Sequence, residues 1–540
     1  MEQVTGSVSY GNLMNTLQTA IAHNTKLIHL NTNKKMLVPE ISRLTSNRPI
    51  CVSDVLYRVF TRILGKHIQQ WAEDTEQLSE MQNGFRKDRR GEDNIFILTS
   101  AIEIARAQKT GLICVFLDAT KAYDRIDRRK LWQTLEERGM SPSIIELLKH
   151  LYEETFIFVR HGEYTSEEVS IPIGLRQGCP LSPILFSLYI ADLGKQLLET
   201  GLGFRFAKKS NFWDVKENKF FTIPGLLFAD DLCLMANKIG DMRALLEITS
   251  KFGDNRPIKF NPQKSGVIVF SRPPSTHMHD QGLTIQGRQI PEVESYKYLG
   301  IELSAERYYL SQHWEKVTWT ANKAIQRLNA RTLWSFNRFE VSKILWKATA
   351  VPQLTYCNAT ITMPKRLRNL IEVRQRDAGR WALGIPHSTI SKEFIEGELG
   401  WSSFEAREAT SKTMYFESVK HMDQKRWPRR ILTAIELTKA RNMVTKTTLR
   451  IYRQFKDKRG LERNIYDNRR GSRLLALARA GMLNTRSRQH ARDPSIDESC
   501  PKCGAPETDT HIVLECEEGR FDHKNIRTDL DFTLVQPRMI

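Results

Sequence analysis

The sequence predicts a mixed α+β region, followed by a mainly helical region and a small C-terminal cluster of cysteines and a histidine. From about residue 48 to residue 303, stretches with apolar side chains at helical spacing alternate with short β-rich runs. Beyond residue 304 the β-rich runs fade and amphipathic helical segments follow. Three of the eight cysteines cluster near the C-terminus with a histidine among them. Two larger domains and one small element are therefore expected.

Composition limits the classes of partner. Lysine and arginine number 81 against 62 acidic residues, which gives a formal charge of +19 and favours a polyanionic partner. No run approaches the roughly 20 apolar residues that cross a bilayer, and the N-terminus lacks the basic-then-apolar pattern of a signal peptide. We therefore expect a nuclear or cytoplasmic protein that has no membrane partner.

Individual elements follow from periodicity. Residues 54–72 (DVLYRVFTRILGKHIQQWA) predict an amphipathic helix, LICVFLD predicts a strand, and GLLFADDLCLMA predicts a hairpin. In the helical region, FEVSKILWKATAVPQL and RNLIEVRQRDAGRWAL predict helices, with breaks at Pro352 and Pro386.

Three aspartates follow apolar strands. Asp118 ends LICVFLD, and Asp230 and Asp231 lie between the two halves of the predicted hairpin. Nucleotidyl transfer uses two divalent ions, and Mg²⁺ prefers oxygen ligands, so three converging carboxylates suit that chemistry. Successive strand residues point to opposite faces, so we expect Asp230 to ligate directly, with Asp118, and Asp231 to support. The alternative is a polar turn that only joins two strands.

The order of motifs favours the catalytic interpretation. NRPICVSDVLYRVFTRIL, QNGFRKDRRGEDNI, FLDATKAYD, GLRQGCPLSP, FADD, FNPQKSGVIVF and YKYLGIEL follow one another as in the reverse transcriptases of non-LTR (LINE-type) retrotransposons, which the chain resembles over most of its length. The resemblance implies a right-hand polymerase with fingers and palm at residues 30–303 and a helical thumb and connection at 304–420. It leaves an N-terminal extension at 1–29, a basic helical linker at 421–495, a CCHC zinc element at 496–520 and a tail at 521–540.

The resemblance also implies further site residues. Tyr123 stands where the family carries an aromatic steric gate against the ribose 2′ hydroxyl, although core packing is the alternative. Gln177 and Gly178 are placed on the floor of the site, where a glycine lets the backbone approach nucleotide and template, although a simple turn glycine is possible too. Lys264 would lie near the pyrophosphate. Independently of the resemblance, Arg86 could reach the triphosphate or template, since a guanidinium binds phosphate bidentately. Each could instead be an exposed surface cation.

The C-terminal cluster reads Cys500-x₂-Cys503-x₇-His511-x₄-Cys516, with Gly504 after the first pair. Three thiolates and one imidazole suit one tetrahedral Zn²⁺ and leave no open coordination position, so a structural or nucleic-acid-binding role is expected. The alternative is three unrelated thiols and a surface histidine.

These features predict an RNA-directed DNA polymerase that uses two Mg²⁺ ions, dNTPs, an RNA template and a DNA primer or target. The sequence leaves room for no endonuclease of the family, so we expect a fragment of an element. One alternative is a catalytically silent nucleic-acid-binding relic; another is a group II intron maturase, which Phe228 and the CCHC spacing disfavour. The oligomeric state is not predicted.

Overall fold

The computed structural model describes the backbone of residues 26–29, 51–153, 155–161, 164–206, 221–271, 282–385, 391–445, 485–491 and 493–508, with His511 and Cys516. By its contacts the chain divides into two units, residues 1–431 and 432–540. The rest of the predicted N-terminal extension, residues 446–484 of the predicted linker and the predicted tail lie outside the described residues.

The helices and strands of the described residues are numbered in chain order. The helices are α1 (Val55–Asp74), α2 (Gly91–Gln108), α3 (Arg128–Glu137), α4 (Pro142–Glu153), α5 (Ser182–Glu199), α6 (Ile239–Asn255), α7 (Ser311–Thr332), α8 (Arg338–Leu345), α9 (Val351–Leu354), α10 (Lys365–Leu383), α11 (Lys392–Leu399), α12 (Phe404–His421), α13 (Trp427–Thr445) and α14 (Arg486–His490). The strands are β1 (Lys26–His29), β2 (Cys51–Val52), β3 (Leu112–Asp118), β4 (Phe156–His161), β5 (Tyr164–Thr165), β6 (Val169–Ser170), β7 (Phe204–Phe206), β8 (Phe221–Ile223), β9 (Gly225–Phe228), β10 (Asp231–Ala236), β11 (Gly266–Ser271), β12 (Thr284–Ile285), β13 (Arg288–Gln289), β14 (Ser295–Tyr298) and β15 (Ile301–Ser304).

A four-stranded antiparallel sheet lies at the centre of the α+β part. Its strand order is β11-β3-β10-β9. The residues of β3 from Leu112 to Leu117 are at most 1% exposed, because an all-apolar strand is buried on both faces. Helices α2 and α6 pack against this sheet. A second sheet has the order β2-β1-β4-β5, with β6 on β4, and three strand pairs (β7–β8, β12–β13 and β14–β15) complete the strands.

The predicted elements of this part are confirmed. Helix α1 begins after Asp54, whose carboxylate accepts a hydrogen bond from the amide of Leu56 at 2.8 Å, as an N-cap residue does. LICVFLD is β3, and GLLFADDLCLMA is the β9–β10 hairpin. Local pattern predicts these elements because α1 has one apolar face and β3 is a continuous apolar run.

The helical part has its own core. Trp346 is fully buried, its ring lies 5.9 Å from that of Trp401, and its indole N–H donates to Gln375 at 3.3 Å. The helix break predicted at Pro352 is wrong, because the chain stays helical from Arg338 to Leu354. Within this stretch the helix widens to a π-helical turn at Trp346–Ala350. The turn ends just before the proline, where the amide of Val351 donates to the Trp346 carbonyl and Pro352 has no amide to donate. Pro386 lies outside the described residues.

Contacts after the helical part return to the α+β part. The hydroxyl of Tyr415 donates to the Asp93 carboxylate at 3.0 Å, and the Arg426 guanidinium donates to the same carboxylate at 3.0 Å. Asp93 is fully buried, so losing either partner would leave a buried charge poorly compensated. These contacts fix helix α12 and the start of α13 against the N-terminus of α2.

No helix among the described residues is both long enough and apolar enough to span a bilayer.

Candidate functional sites

Strand register brings the first aspartate beside the aspartate pair. In the antiparallel pairing of β3 with β10, Asp231 is the direct partner of Asp118. Residues opposite each other on antiparallel strands carry their side chains on the same face, with Cβ atoms about 5 Å apart. Asp230 precedes Asp231 in the turn after β9, and all three aspartates are partly exposed. Three carboxylates thus collect at one end of the sheet.

The turn that carries the aspartate pair is tight. Ala229 has a φ of +55°, in the left-handed region that few non-glycine residues adopt. It is buried, with only 5% of its surface exposed. The backbone before Asp230 is therefore held by its surroundings in a sparsely populated conformation.

The end of β3 is fixed from the other side by the loop before β11. The amide of Asp118 donates to the Ser265 hydroxyl at 3.2 Å, and that hydroxyl donates to the Asn261 carbonyl at 2.7 Å. The amide of Asn261 donates in turn to the Asp118 carbonyl at 2.9 Å. Backbone position at Asp118 is thus set by three hydrogen bonds that leave its carboxylate to other partners.

Tyr296 lies close enough to the aspartates for their charge to affect its pKa. Its ring stacks on Phe116 with 4.6 Å between the centroids, and its hydroxyl donates to the Lys264 carbonyl at 2.9 Å. Burial, and then the negative charges of Asp118 and Asp231, raise the pKa of Tyr296 above its ordinary value. The phenol stays protonated and donates at any ordinary pH.

Lys264 lies in the turn that precedes β11. The hydroxyl of the next residue, Ser265, accepts the amide of Asp118 at 3.2 Å, so the backbone of Lys264 lies close to the end of β3. Its side chain is exposed. An exposed ammonium group beside the end of β3 suits contact with a phosphate.

Tyr123, Gln177 and Gly178 lie close to one another. The Tyr123 ring stacks on Phe186 at 4.7 Å and its carbonyl accepts the amide of Leu175 at 2.7 Å. The Gln177 amide side chain donates to Asp124 at 2.9 Å. This orders both side chains before any ligand binds.

Gly178 occupies a position that requires glycine. Its φ is +108°, and a Cβ there would lie 2.4 Å from the Cys51 carbonyl oxygen. The backbone of Gly178 thus lies close to strand β2 of the same chain, at Cys51.

Arg176 anchors this segment from inside, a role the sequence reasoning missed. Only 6% of Arg176 is exposed; it donates to Tyr57, to the Leu151 carbonyl at 2.6 Å and to the Thr155 hydroxyl at 2.6 Å. The guanidinium also lies 4.8 Å from the Tyr152 ring centroid. Its place in GLRQGCPLSP beside Gln177 was visible, but nothing in the local pattern separates a buried arginine from an exposed one.

Arg86 is not available for the phosphate contact expected of it. Its Nε and Nη2 donate to both oxygens of Glu73 at 2.8 and 2.5 Å, and its Nη1 donates to the carbonyls of Ser79 and Gln82 at 2.8 and 3.1 Å. The residue is 8% exposed. Burial raises the pKa of Glu73, but the hydrogen bond and charge of Arg86 outweigh it and leave that pKa below its usual value. A buried bidentate pair explains this arginine without a ligand.

The carboxylate cluster fits the expected metal. Asp118, Asp230 and Asp231 offer hard oxygen donors that remain partly open to solvent, which is the donor set that Mg²⁺ prefers. Tyr296, Ser265 and Gln82 around it were not predicted, because each is distant in sequence and becomes adjacent only through strand pairing. For Gln82 a signal existed, since it opens the QNGFR run that carries part of the family resemblance.

In the second unit, the four predicted zinc ligands converge. One ligand atom from each of Cys500, Cys503, His511 and Cys516 lies within 4.8 Å of the other three. Amide N–H groups of Lys502 and Cys503 lower the pKa of the Cys500 thiol to about 6, whereas burial and then the neighbouring thiols raise that of Cys516 to about 11.

The loop that carries the first two thiols has the shape of a metal-binding turn. Gly504 has a φ of +74° and its amide donates to the Cys500 carbonyl at 2.9 Å, while the Cys500 amide donates to the Ala505 carbonyl at 2.7 Å. The turn therefore needs a residue that tolerates the left-handed region, and Gly504 provides it. The donor set and its spacing fit tetrahedral zinc coordination.

Comparison with known proteins identifies the family of the α+β part. The family described as reverse transcriptase (RNA-dependent DNA polymerase) matches residues 33–303. The chain is 28% identical over 226 residues to the transposon TX1 uncharacterized 149 kDa protein of Xenopus laevis, a match that covers 41% of this chain and 16% of that protein. It is 26% identical over 264 residues to the retrovirus-related Pol polyprotein from type-2 retrotransposable element R2DM of Drosophila melanogaster, covering 48% and 23%.

A third relative is the RNA-directed DNA polymerase from mobile element jockey of Drosophila melanogaster, 22% identical over 264 residues, with coverage of 48% of this chain and 27% of that protein. The chain thus spans about a quarter or less of the length of these relatives.

Proposed function

Because the chain belongs to the reverse transcriptase (RNA-dependent DNA polymerase) family, we propose that it is an RNA-directed DNA polymerase of a non-LTR retroelement. In this proposal it extends a DNA primer along an RNA template. The direct pairing of Asp118 with Asp231 next to Asp230 carries the proposal, since it places three aspartates at one end of the two central strands. The matched relatives are products of mobile elements by name, which supports the origin.

The three aspartates would hold two Mg²⁺ ions. Bound there, the ions would favour the deprotonated 3′ hydroxyl and stabilise charge on the leaving pyrophosphate. The protein's part is to keep the carboxylates at fixed positions, which the register of β3 and β10 and the hydrogen bonds to Asp118 support. Asp118 and Asp230 are the proposed direct ligands of the ions. The strand register makes Asp231 an equal candidate for the place of Asp230.

Tyr123 is proposed as the residue that excludes ribonucleotides. Its ring is stacked on Phe186 and its backbone is bonded to Leu175, so it is too constrained to swing aside for an added hydroxyl. A rigid aromatic wall discriminates by steric overlap. This supports dNTPs as the substrates.

Gln177, Gly178 and Lys264 are proposed to line the same site. Gln177 is oriented by Asp124, and the backbone at Gly178 is fixed by its approach to Cys51. Lys264 would neutralise phosphate charge from its exposed position in the turn next to Ser265, which bonds the Asp118 amide.

The finer architecture is proposed as a right hand. The four-stranded sheet would be the palm and helices α7–α12 the thumb and connection. On α7, Trp319, Lys323, Arg327 and Arg331 are all exposed and recur every four residues, so they share one face. We call these four residues the α7 face. A row of cations beside an aromatic ring suits phosphates and bases, which supports RNA and DNA as partners.

One structural Zn²⁺ is proposed at Cys500, Cys503, His511 and Cys516. Four converging ligands leave no open position, so the zinc would shape a loop rather than take part in polymerisation.

Primer extension on an RNA template with dNTPs and Mg²⁺ tests the polymerase. Wild type should synthesise DNA, and Asp230→Ala should abolish synthesis because a ligand of the ions is lost. Asp74→Ala, at an exposed carboxylate at the end of α1, is the matched control and should keep full activity.

Two results would count against the proposal. A folded wild type that binds template–primer but adds no nucleotide would indicate a silent nucleic-acid-binding relic. Equal activity of Asp230→Ala and wild type would remove the carboxylate cluster from the reaction.

A further inference from the structure

The side chain of Gln82 is bonded to the turn that carries the aspartate pair. Its Oε1 accepts the amide of Ala229 at 3.0 Å and the amide of Gly84 at 2.9 Å, and its Nε2 reaches the Ala229 carbonyl at 3.5 Å. Gln82 is 2% exposed. A buried amide thus contacts both backbone polar groups of the residue directly before Asp230.

The strand that carries the turn is held by the same segment. The amide of Leu227 donates to the Met81 carbonyl at 2.9 Å, and the amide of Asn83 donates to the Leu227 carbonyl at 3.0 Å. Residues 81–83 therefore pair in parallel with β9 on its outer edge, beyond the four strands of the sheet.

Glycine at position 84 lets this segment approach so closely. A Cβ there would lie 2.3 Å from the Ala229 amide nitrogen, a distance that no side chain can occupy without moving backbone. The turn and the 82–84 segment are thus fitted to each other at van der Waals distance.

The segment is anchored from behind. Arg86 donates to the Gln82 carbonyl at 3.1 Å while its other nitrogens hold Glu73 of α1. The Asn83 side chain donates to Asn94 of α2 at 2.5 Å, and Asn94 donates to the Leu227 carbonyl at 3.3 Å. Two helices therefore fix the segment, and the buried Arg86 is explained as part of this anchor.

We propose that Gln82 is a positioning residue of the candidate active site: its side-chain amide holds Ala229 in the left-handed conformation and so sets the geometry of Asp230 and Asp231 before metal binds. A left-handed alanine is strained, and its neighbours must compensate for that strain. Without the amide the turn is free to relax, and the two carboxylates leave the positions that Asp118 complements. The inference rests on the proposed metal site but not on polymerisation itself.

The test measures the affinity of the full chain for Mn²⁺ without nucleotide, with bound Mn²⁺ detected by electron paramagnetic resonance. The proteins compared are wild type, Gln82→Met and Asp118→Asn. Methionine keeps the length of the side chain but neither hydrogen bond to Ala229. We expect Gln82→Met to weaken Mn²⁺ binding by about 10-fold, since groups that orient metal ligands contribute about 10–100-fold to affinity. Raised Mg²⁺ should recover part of its lost primer extension.

Gln375→Met is the matched control. Gln375 is 1% exposed and also makes three side-chain hydrogen bonds, to Trp346, Arg407 and the Ser402 carbonyl, in the core of the helical part. The Gln375→Met substitution should lower the unfolding temperature about as much as Gln82→Met does, and it should leave Mn²⁺ binding unchanged.

Gly84→Ala is a second test of the proposal, because this substitution keeps Gln82 but displaces Ala229. It should also weaken Mn²⁺ binding. Unchanged Mn²⁺ affinity in either variant that folds overturns the proposal, and so does loss of folding in both variants while Gln375→Met folds, since Gln82 would then serve stability alone. Wild type that binds Mn²⁺ at Asp118 but does not polymerise would contradict the proposed function and leave this inference standing.

Discussion

The two candidate metal sites are built in opposite ways. The aspartates of the first unit lie at the ends of strands whose core residues, such as Val115 and Leu234, are fully buried, and backbone pairing of those strands sets their positions. Around the cysteines of the second unit, the described residues from 485 onward bury Thr485, Cys500, Glu507, His511 and Cys516. No large apolar side chain is buried among those residues.

The difference separates positioning from stability. A sheet with a large core holds its ligands whether or not an ion is bound, so removing a ligand there should cost function and little stability. A loop with a polar interior depends on the metal for its folding, so removing a ligand there should cost the local structure. The first two predictions below each test one side of this contrast.

The largest effect is expected from removing zinc. A selective zinc chelator should unfold the Cys500–Cys516 loop, because structural zinc contributes on the order of 10 kcal/mol to such small elements. Alkylation followed by mass spectrometry should then label Cys500, Cys503 and Cys516 readily. Cys114 and Cys233, fully buried in the sheet, are internal controls that should stay protected. Three thiols that are equally reactive before and after chelation would argue against a zinc site.

The next largest effect is expected at the aspartates. Asp118→Asn and Asp231→Asn should each slow primer extension by about 10³-fold, since charge stabilisation at the reacting phosphate is lost. Without metal, either variant should unfold at or above the wild-type temperature, because one of three neighbouring negative charges is removed. Calorimetry in EDTA checks this. A clearly lower unfolding temperature would mean that the carboxylates serve the fold and that the two sites are less different than proposed.

Sequence reasoning was most successful where the chemistry is local. The strand ending at Asp118, the hairpin around Asp230 and the helix that begins after Asp54 each follow from a run of neighbouring residues. The convergence of the four zinc-type ligands was also visible, since their spacing fits one loop.

Contacts between distant segments were not visible. Arg86 was assigned to the triphosphate or template because a guanidinium binds phosphate bidentately, yet two of its nitrogens pair with Glu73 of α1 instead. Gln82 and Ala229 are 147 positions apart and become neighbours only when residues 81–83 pair with β9. The domain boundaries predicted at 303 and 420 stay predictions, while the contacts divide the chain after residue 431.

Acid should act on the first unit through a buried imidazole. His313 is 5% exposed, and burial, then the charge of Lys316, lower its pKa from 6.5 to about 4 despite the opposing charge of Glu302. The unfolded chain therefore takes up the proton first, so the free energy of unfolding should fall as pH decreases from 6.5 towards 4. The loss amounts to about 2 kcal/mol by pH 5.

The measurement is urea unfolding at pH 6.5 and pH 5, with His313→Leu and the exposed His67→Leu as test and control. His313→Leu should lose about 2 kcal/mol less than wild type on acidification, and His67→Leu should lose as much as wild type. Equal losses in all three proteins would show that His313 does not set the acid stability of the helical part.

The smallest effect is expected from substitutions on the α7 face. Their effect on template–primer binding tests which unit holds nucleic acid. Replacing Lys323 and Arg327 with glutamine should weaken template–primer binding by about 10-fold at 0.15 M salt and reduce the slope of log K against log salt by about 2, if each cation neutralises one phosphate. Lys149→Gln with Lys195→Gln is the matched control, because these exposed lysines pair with Glu146 and Glu199. If the control pair weakens binding equally, the α7 face has no special role. If zinc removal weakens binding more than the α7 substitutions do, the second unit is the main nucleic-acid contact, and its metal then serves recognition as well as folding.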